Sequence, residues 1–168
     1  MGASLLADAF DHHVWATGRL MDACLWLSPG QLERAVPGTY GSILDTMRHL
    51  VGADAAYLFW LTGRRDHLVE ADMMDLEQLR DAIDGHGAAW SDFLAQDPDT
   101  ERIVKDVDEN GWERDTSVGI RLAQALHHGT DHRSQICTVL TTLGIEPPSI
   151  DVWAFGVDAG RTVEVLPP

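Results

Sequence analysis

The sequence predicts an all-α protein, a four-helix bundle with one small β-hairpin near residues 102–116. Three observations carry this prediction. Four long segments repeat apolar side chains at steps of three and four. Most of the connections between them are short, which suits neighbouring helices of a bundle. The interval 97–115 breaks the helical pattern and holds an Asn-Gly pair between two short runs, the signature of a tight hairpin.

The first helix is predicted over residues 4–27, where Leu6, Phe10, His13, Thr17, Leu20, Met21, Cys24 and Leu27 share one face. Ser28-Pro29-Gly30 ends it and starts a short turn running to Val36. Ser42 opens the second helix, with Asp45 as its capping-box partner and Gly63 as its stop. Its stripe is Ile43, Met47, Leu50, Tyr57, Leu58 and Leu61. Residues 64–74 are polar and acidic, a loop. Asp75 can cap a third helix to about Ala95, with Leu76, Leu79, Ile83, Trp90 and Leu94 inward and Gly85-His86-Gly87 weakening its middle. In the hairpin, Arg102–Val107 and Trp112–Thr116 flank Asp108-Glu109-Asn110-Gly111. Thr116 or Ser117 caps the fourth helix, which runs to Leu143 before Gly144. The tail from Glu146 to Pro168, with Pro147-Pro148 and Trp153, is expected to be irregular and to pack back on the bundle.

The bulk numbers narrow the function classes. A length of 168 residues suits one domain spanning 1–168. Hydrophobic residues make up 45% and charged residues 23%, ordinary for a soluble globular protein. There is no apolar run long enough for a membrane span, and residues 1–10 lack the pattern of a secretory signal. The net charge of −15, from 12 basic and 27 acidic side chains, argues against nucleic acid and anionic membrane surfaces as partners. Cys24 and Cys137 have no metal or redox spacing and read as buried free thiols, consistent with a cytoplasmic protein.

Among eight histidines, His128 and His132 stand out. Their i,i+4 spacing puts both imidazoles on one helix face, one turn apart, as two ligands of one ion require. Both flank the apolar stripe of the fourth helix. His49 holds the equivalent flank of the second helix, in line with Ala53, Ala56 and Trp60, and the alanines leave room for a cavity. Three neutral imidazoles on two helices would make an open metal site of catalytic type. The competing reading makes His49 a core histidine and leaves the other two solvated. His13 lies squarely on the inward stripe of the first helix and needs a partner there. It is a fourth ligand, a group supporting the ligands, a general base, or a hydrogen-bonded core histidine. Asp54 and Arg133, both inward by phase, could form a buried ion pair; the alternative is that Asp54 simply tilts to solvent. Trp60 and Tyr57 are candidates to wall a pocket. His12 and His127 are expected to be solvated by phase, and His67 and His86, in a loop and a Gly-flanked stretch, have nothing near them in sequence to bind with.

These residues together resemble the DinB/YfiT-like family of metalloenzymes, over nearly the whole chain. The resemblance rests on His13-Val14-Trp15-Ala16, on Gly41-Ser42-Ile43-Leu44-Asp45 leading to His49, and on His128 and His132 followed by Arg133-Ser134-Gln135-Ile136. Leu143-Gly144, Pro147-Pro148 and Asp151-Val152-Trp153 look like the family's closing segment. The resemblance implies an up-down-down-up bundle, often a homodimer, holding one divalent metal ion, zinc or nickel, on three histidines that map onto His49, His128 and His132. It also implies a thiol-dependent transferase or isomerase that joins a low-molecular-weight thiol, such as bacillithiol or mycothiol, to a small electrophilic substrate. His13 and Arg133 are then candidates to orient or protonate that substrate. A hydrolase using the same metal, a non-catalytic protein that binds metal or a small ligand in a stress response, and a plain interaction module are the alternatives. Family members often carry glycine where this chain has Ser134.

Overall fold

The computed structural model describes residues 4–107, 110–163 and 165. Four helices make the bundle: α1 (Leu5–Cys24), α3 (Ile43–Thr62), α4 (Leu76–Leu94) and α5 (Val118–Thr142). The short α2 (Pro29–Leu32) follows α1, and α6 (Val152–Asp158) follows α5. Their starts are set by side-chain caps. Ser42 accepts from Asp45 N–H while Asp45 answers to Ser42 N–H, and Asp75 and Gln78 repeat the exchange at α4. Gly63, at φ 74°, and Gly144, at φ 73°, take the left-handed conformation just past α3 and α5, which a side chain would resist.

Around the bundle the helices run in the order α1, α4, α3, α5. Contacts give their directions. Asp22 meets Arg80 and Phe10 meets Trp90, so α1 and α4 are antiparallel. Tyr57 meets Gln124 and Tyr40 meets Gln135, so α3 and α5 are antiparallel too. His13 lies at Gly129 and Thr17 at Arg133, so α1 and α5 are parallel. The topology is therefore up-down-down-up. Two strands, β1 (Ile103–Val107) and β2 (Glu113–Ser117), form an antiparallel hairpin in which Ile103 faces Ser117 and Val107 faces Glu113. Val104 turns its side chain into the core. Of the turn, Asp108 and Glu109 lie outside the described residues.

The core is two apolar clusters with a polar layer between them. One cluster holds Leu20, Met47, Leu50, Leu79, Ile83 and Ile136; the other holds Phe10, Leu58, Leu61, Trp90, Phe93 and Leu122. Each bundle helix places polar side chains at the level between: His13 and Thr17 from α1, Asp54 from α3, His86 from α4 and Arg133 from α5, all buried.

One expectation needs correction. The segment after Pro148 is not irregular, because Asp151 accepts from Trp153 and Ala154 N–H and starts α6. Trp15 Nε1 donates to Asp158, and Arg161 pairs with Asp8, tying this segment to α1. Of the tail, Glu164 and residues 166–168 lie outside the described residues. The third helix runs unbroken through Gly85 and Gly87, as its pattern predicts, with Gly87 against Val14 of α1. Both cysteines are free thiols, Cys24 buried and Cys137 half-buried, and burial pushes the Cys24 thiol up to about 12.

Candidate metal centre

Capping at Ser42 fixes where α3 begins, and so which face His49 shares. It looks across to α5, where His128 and His132 stand one turn apart. The structure brings the three together. His49 Nε2 lies 3.0 Å from His128 Nε2, and His132 Nε2 lies 3.1 Å from it. All three histidines offer a ring nitrogen within 4.8 Å of the others. Two imidazole ligands of a tetrahedral zinc ion stand about 3.3 Å apart when Zn–N is ~2.05 Å. The two short separations are close to that figure.

Proton bookkeeping favours a cation at this point. His132 Nδ1 lies 3.3 Å from Gln135 Oε1, which also accepts from Tyr40 N–H at 2.8 Å. An oxygen there makes Nδ1 the donor, which leaves the Nε2 lone pair of neutral His132 facing its neighbours. His128 Nε2 carries at most one proton, so it can donate to one of its two close nitrogens only. The other contact then has no proton between its two nitrogens, an unfavourable approach that an ion held among the three relieves. Protonation is resisted as well. Burial, followed by the charges His132 and His49 would carry, lowers the His128 pKa to about 4. Burial, followed by His132, lowers that of His49.

Aromatic rings frame the cluster. Tyr40, from the loop before α3, stacks on His49 with ring centroids 4.1 Å apart and planes at 14°, and stands edge-on to His132. Tyr57 meets His128 edge-on at 5.9 Å. His49 and His128 are only half-buried, so the cluster opens to solvent. The opening leads into grooves lined by Tyr40, Asp45, Arg48, His49 and Asp72. Trp60, expected on this wall, instead lies against Phe59 and the second apolar cluster, and it borders neither groove. One helical turn past Tyr57, it is too far toward the end of α3 to reach His49.

His13 and Arg133 enter a different assembly, the polar layer. Arg133 Nη1 stands 3.1 Å from His13 Nδ1 and 3.0 Å from Thr17 Oγ1. A guanidinium can only donate, so His13 Nδ1 accepts and the imidazole proton sits on Nε2. From there it donates to Asp54 Oδ1 at 3.2 Å. Trp90 Nε1 donates to Asp54 Oδ2 at 2.9 Å. Asp54 and Arg133 are thus joined through His13 and not by the direct pair their helical phase suggested. Burial pushes the Asp54 carboxyl up, but His13 and His86 beside it outweigh this, and it titrates well below the usual carboxylate range. Arg133, lowered by burial to about 10, stays charged at neutral pH. Among the roles open to His13, the contacts are those of a hydrogen-bonded core histidine.

Two minor histidines are also placed differently from expectation. His86 is buried, with Nδ1 3.4 Å from Asp54 Oδ2 but outside hydrogen-bond geometry. His12 bonds to the Ile150 carbonyl at 2.8 Å, and burial lowers its pKa. Sequence reasoning missed Tyr40 and Gln135 at the centre. Gln135 was detectable as the i+3 neighbour of His132 on one face. Tyr40, in an irregular loop, had no periodicity to reveal it.

A family model, that of the DinB family, matches residues 1–159 of the chain. No curated protein matches it.

Proposed function

The chain belongs to the DinB family, and from that premise we propose that it is a metal-dependent enzyme acting on a small electrophilic molecule, with a low-molecular-weight thiol as co-substrate. The observation that supports this most is the convergence of three imidazole nitrogens between α3 and α5, beside a groove open to solvent. A divalent ion bound there supplies Lewis acidity, which lowers the pKa of a thiol or water. His49, His128 and His132 would hold it, and zinc, nickel, copper and iron all suit such ligands. The chain's own residues do the rest. Gln135 holds the His132 ring in its working tautomer. Tyr40 covers one side of the cluster, stacked on His49. Arg48, steadied by a bond from Nε to the Met74 carbonyl, and Asp72 give the groove charges of both signs for positioning a polar substrate. The thiol comes from the family resemblance; the residues of the groove do not identify it.

The test is elemental analysis of untagged protein purified without a metal column, beside His49→Ala and His128→Ala. About one equivalent of metal in the parent, lost from both variants, is the expected result. Thiol-dependent transfer to electrophilic acceptors by the loaded protein, absent from both variants, completes it. A parent protein that holds no metal and takes up neither zinc nor nickel would overturn the reading.

A further inference from the structure

Across α5 from the histidine cluster lies a second cavity, of about 530 Å³, between α1, α5 and α6. That is within the ~300–1,000 Å³ usual for small-molecule sites. Its walls are largely apolar: Leu5 and Ala9 from α1, Leu126 from α5, Val152 and Phe155 from α6. Trp153, on the same wall, is largely exposed at 76%. At the rim Asp8 and Arg161 neutralise each other. The floor carries Arg133, only 3% exposed.

The charge at that floor is incompletely used. The N–H groups on Nη1 of Arg133 go to His13 and Thr17, and one on Nη2 goes to Thr130 Oγ1 at 3.2 Å. For the second N–H of Nη2 and for Nε–H, the structure gives no acceptor among the described residues. Thr130 has its own proton committed to the Leu126 carbonyl. A buried guanidinium with unspent donors, at the end of an apolar cavity, calls for an anionic acceptor. Of the carboxylates near it, Asp8 is taken by Arg161, and both oxygens of Asp54 are taken by His13 and Trp90.

We propose that this cavity is a ligand site, separate from the histidine cluster, for a small amphipathic carboxylic acid. Its apolar body lies between Leu126, Val152 and Phe155, and its carboxylate meets the free N–H groups of Arg133. The site is held open by α6, which Asp158 and Arg161 fasten to α1.

Titration calorimetry of the full chain with 4-phenylbutyrate and with its uncharged analogue 4-phenylbutan-1-ol tests this. The acid is expected to bind one per chain, and the alcohol at least about tenfold more weakly, the margin charge-assisted hydrogen bonds supply. Ala9→Phe, which fills the cavity from the α1 side, is expected to weaken the acid at least about tenfold while keeping the parent circular dichroism. His49→Ala is expected to bind the acid as the parent does, with or without added zinc. Equal affinity for acid and alcohol overturns the proposal, as does acid binding untouched by Ala9→Phe. Loss of binding in His49→Ala also overturns it, by placing the carboxylate at the histidine cluster. So does an absence of binding with a dimer that Ala9→Phe dissociates, since a second copy would then fill the cavity.

Discussion

Gln135 Oε1 accepts hydrogen bonds from His132 Nδ1–H and from the Tyr40 backbone N–H. Removing it frees the His132 ring to rotate and to exchange tautomers, so Gln135→Ala is expected to weaken metal binding about 10- to 100-fold without changing the ligand set. Competition against a chelating indicator measures this, and an unchanged affinity would show that His132 is oriented by packing alone. Asp54 has a different task. It is the one described carboxylate in a layer that also holds Arg133, and it accepts from Trp90 and His13. Asp54→Ala leaves the guanidinium without its counter-charge and strands two donors. The expected cost is roughly 3–5 kcal/mol of stability, the range for breaking one partner of a buried pair. Urea unfolding reads it out, and a cost under about 1 kcal/mol would mean that the layer is hydrated and weakly coupled.

At the scale of elements, glycines separate local propensity from packing. Gly85 lies in α4 with nothing within 4 Å of where a Cβ would stand, whereas a Cβ on Gly129 in α5 would meet His13 Cε1 at 2.4 Å and Arg133 Nη1 at 2.9 Å. Helix propensity alone favours alanine at both by about 1 kcal/mol. Gly85→Ala is therefore expected to raise the melting temperature, and Gly129→Ala to lower it, because overpacking costs ~1–3 kcal/mol. Both variants stabilising would mean that α1 and α5 are less closely packed than described. The same division explains what was legible in the sequence. Caps and stripes marked α1, α3, α4 and α5, because Ser42, Asp75 and Ser117 act within one turn and burial follows the helical period. Helical phase also brought His49, His128 and His132 to facing flanks, and it marked His13, Asp54 and Arg133 as inward. What phase lacks is the rotation of one helix against another. For that reason it paired Asp54 with Arg133 directly, where His13 intervenes, and aimed Trp60 at a groove it does not reach. α6 was hidden because seven residues are too few to show a period, and Tyr40 because a loop has none.

For the whole molecule, the consequence of burying these histidines is a stability that depends on pH in a defined direction. His49 and His128 titrate lower in the folded chain than an ordinary imidazole, His128 at about 4. In the unfolded chain both return to ~6.5. Below that value the unfolded state binds more protons, so stability is full above pH ~6.5 and falls as the pH drops toward the folded value of about 4. Asp54 acts in the same sense further down, since its depressed pKa contributes stability that is lost below ~3.9. A metal ion that binds only the folded chain adds RT ln(1 + [M]/Kd) and competes with protons for the same nitrogens. Zinc is therefore expected to raise the melting temperature most at pH 7 to 8, and by an amount that shrinks to nothing near pH 4, where His128 is half-protonated even in the fold. His49→Ala is expected to show little zinc increment at any pH while keeping part of the acid sensitivity, because His128 and Asp54 remain. Melting curves at several pH values, with zinc and with a chelator, decide the matter. An increment that ignores pH, or one that survives in His49→Ala, would put the zinc on surface carboxylates, of which a chain with 27 acidic residues has many.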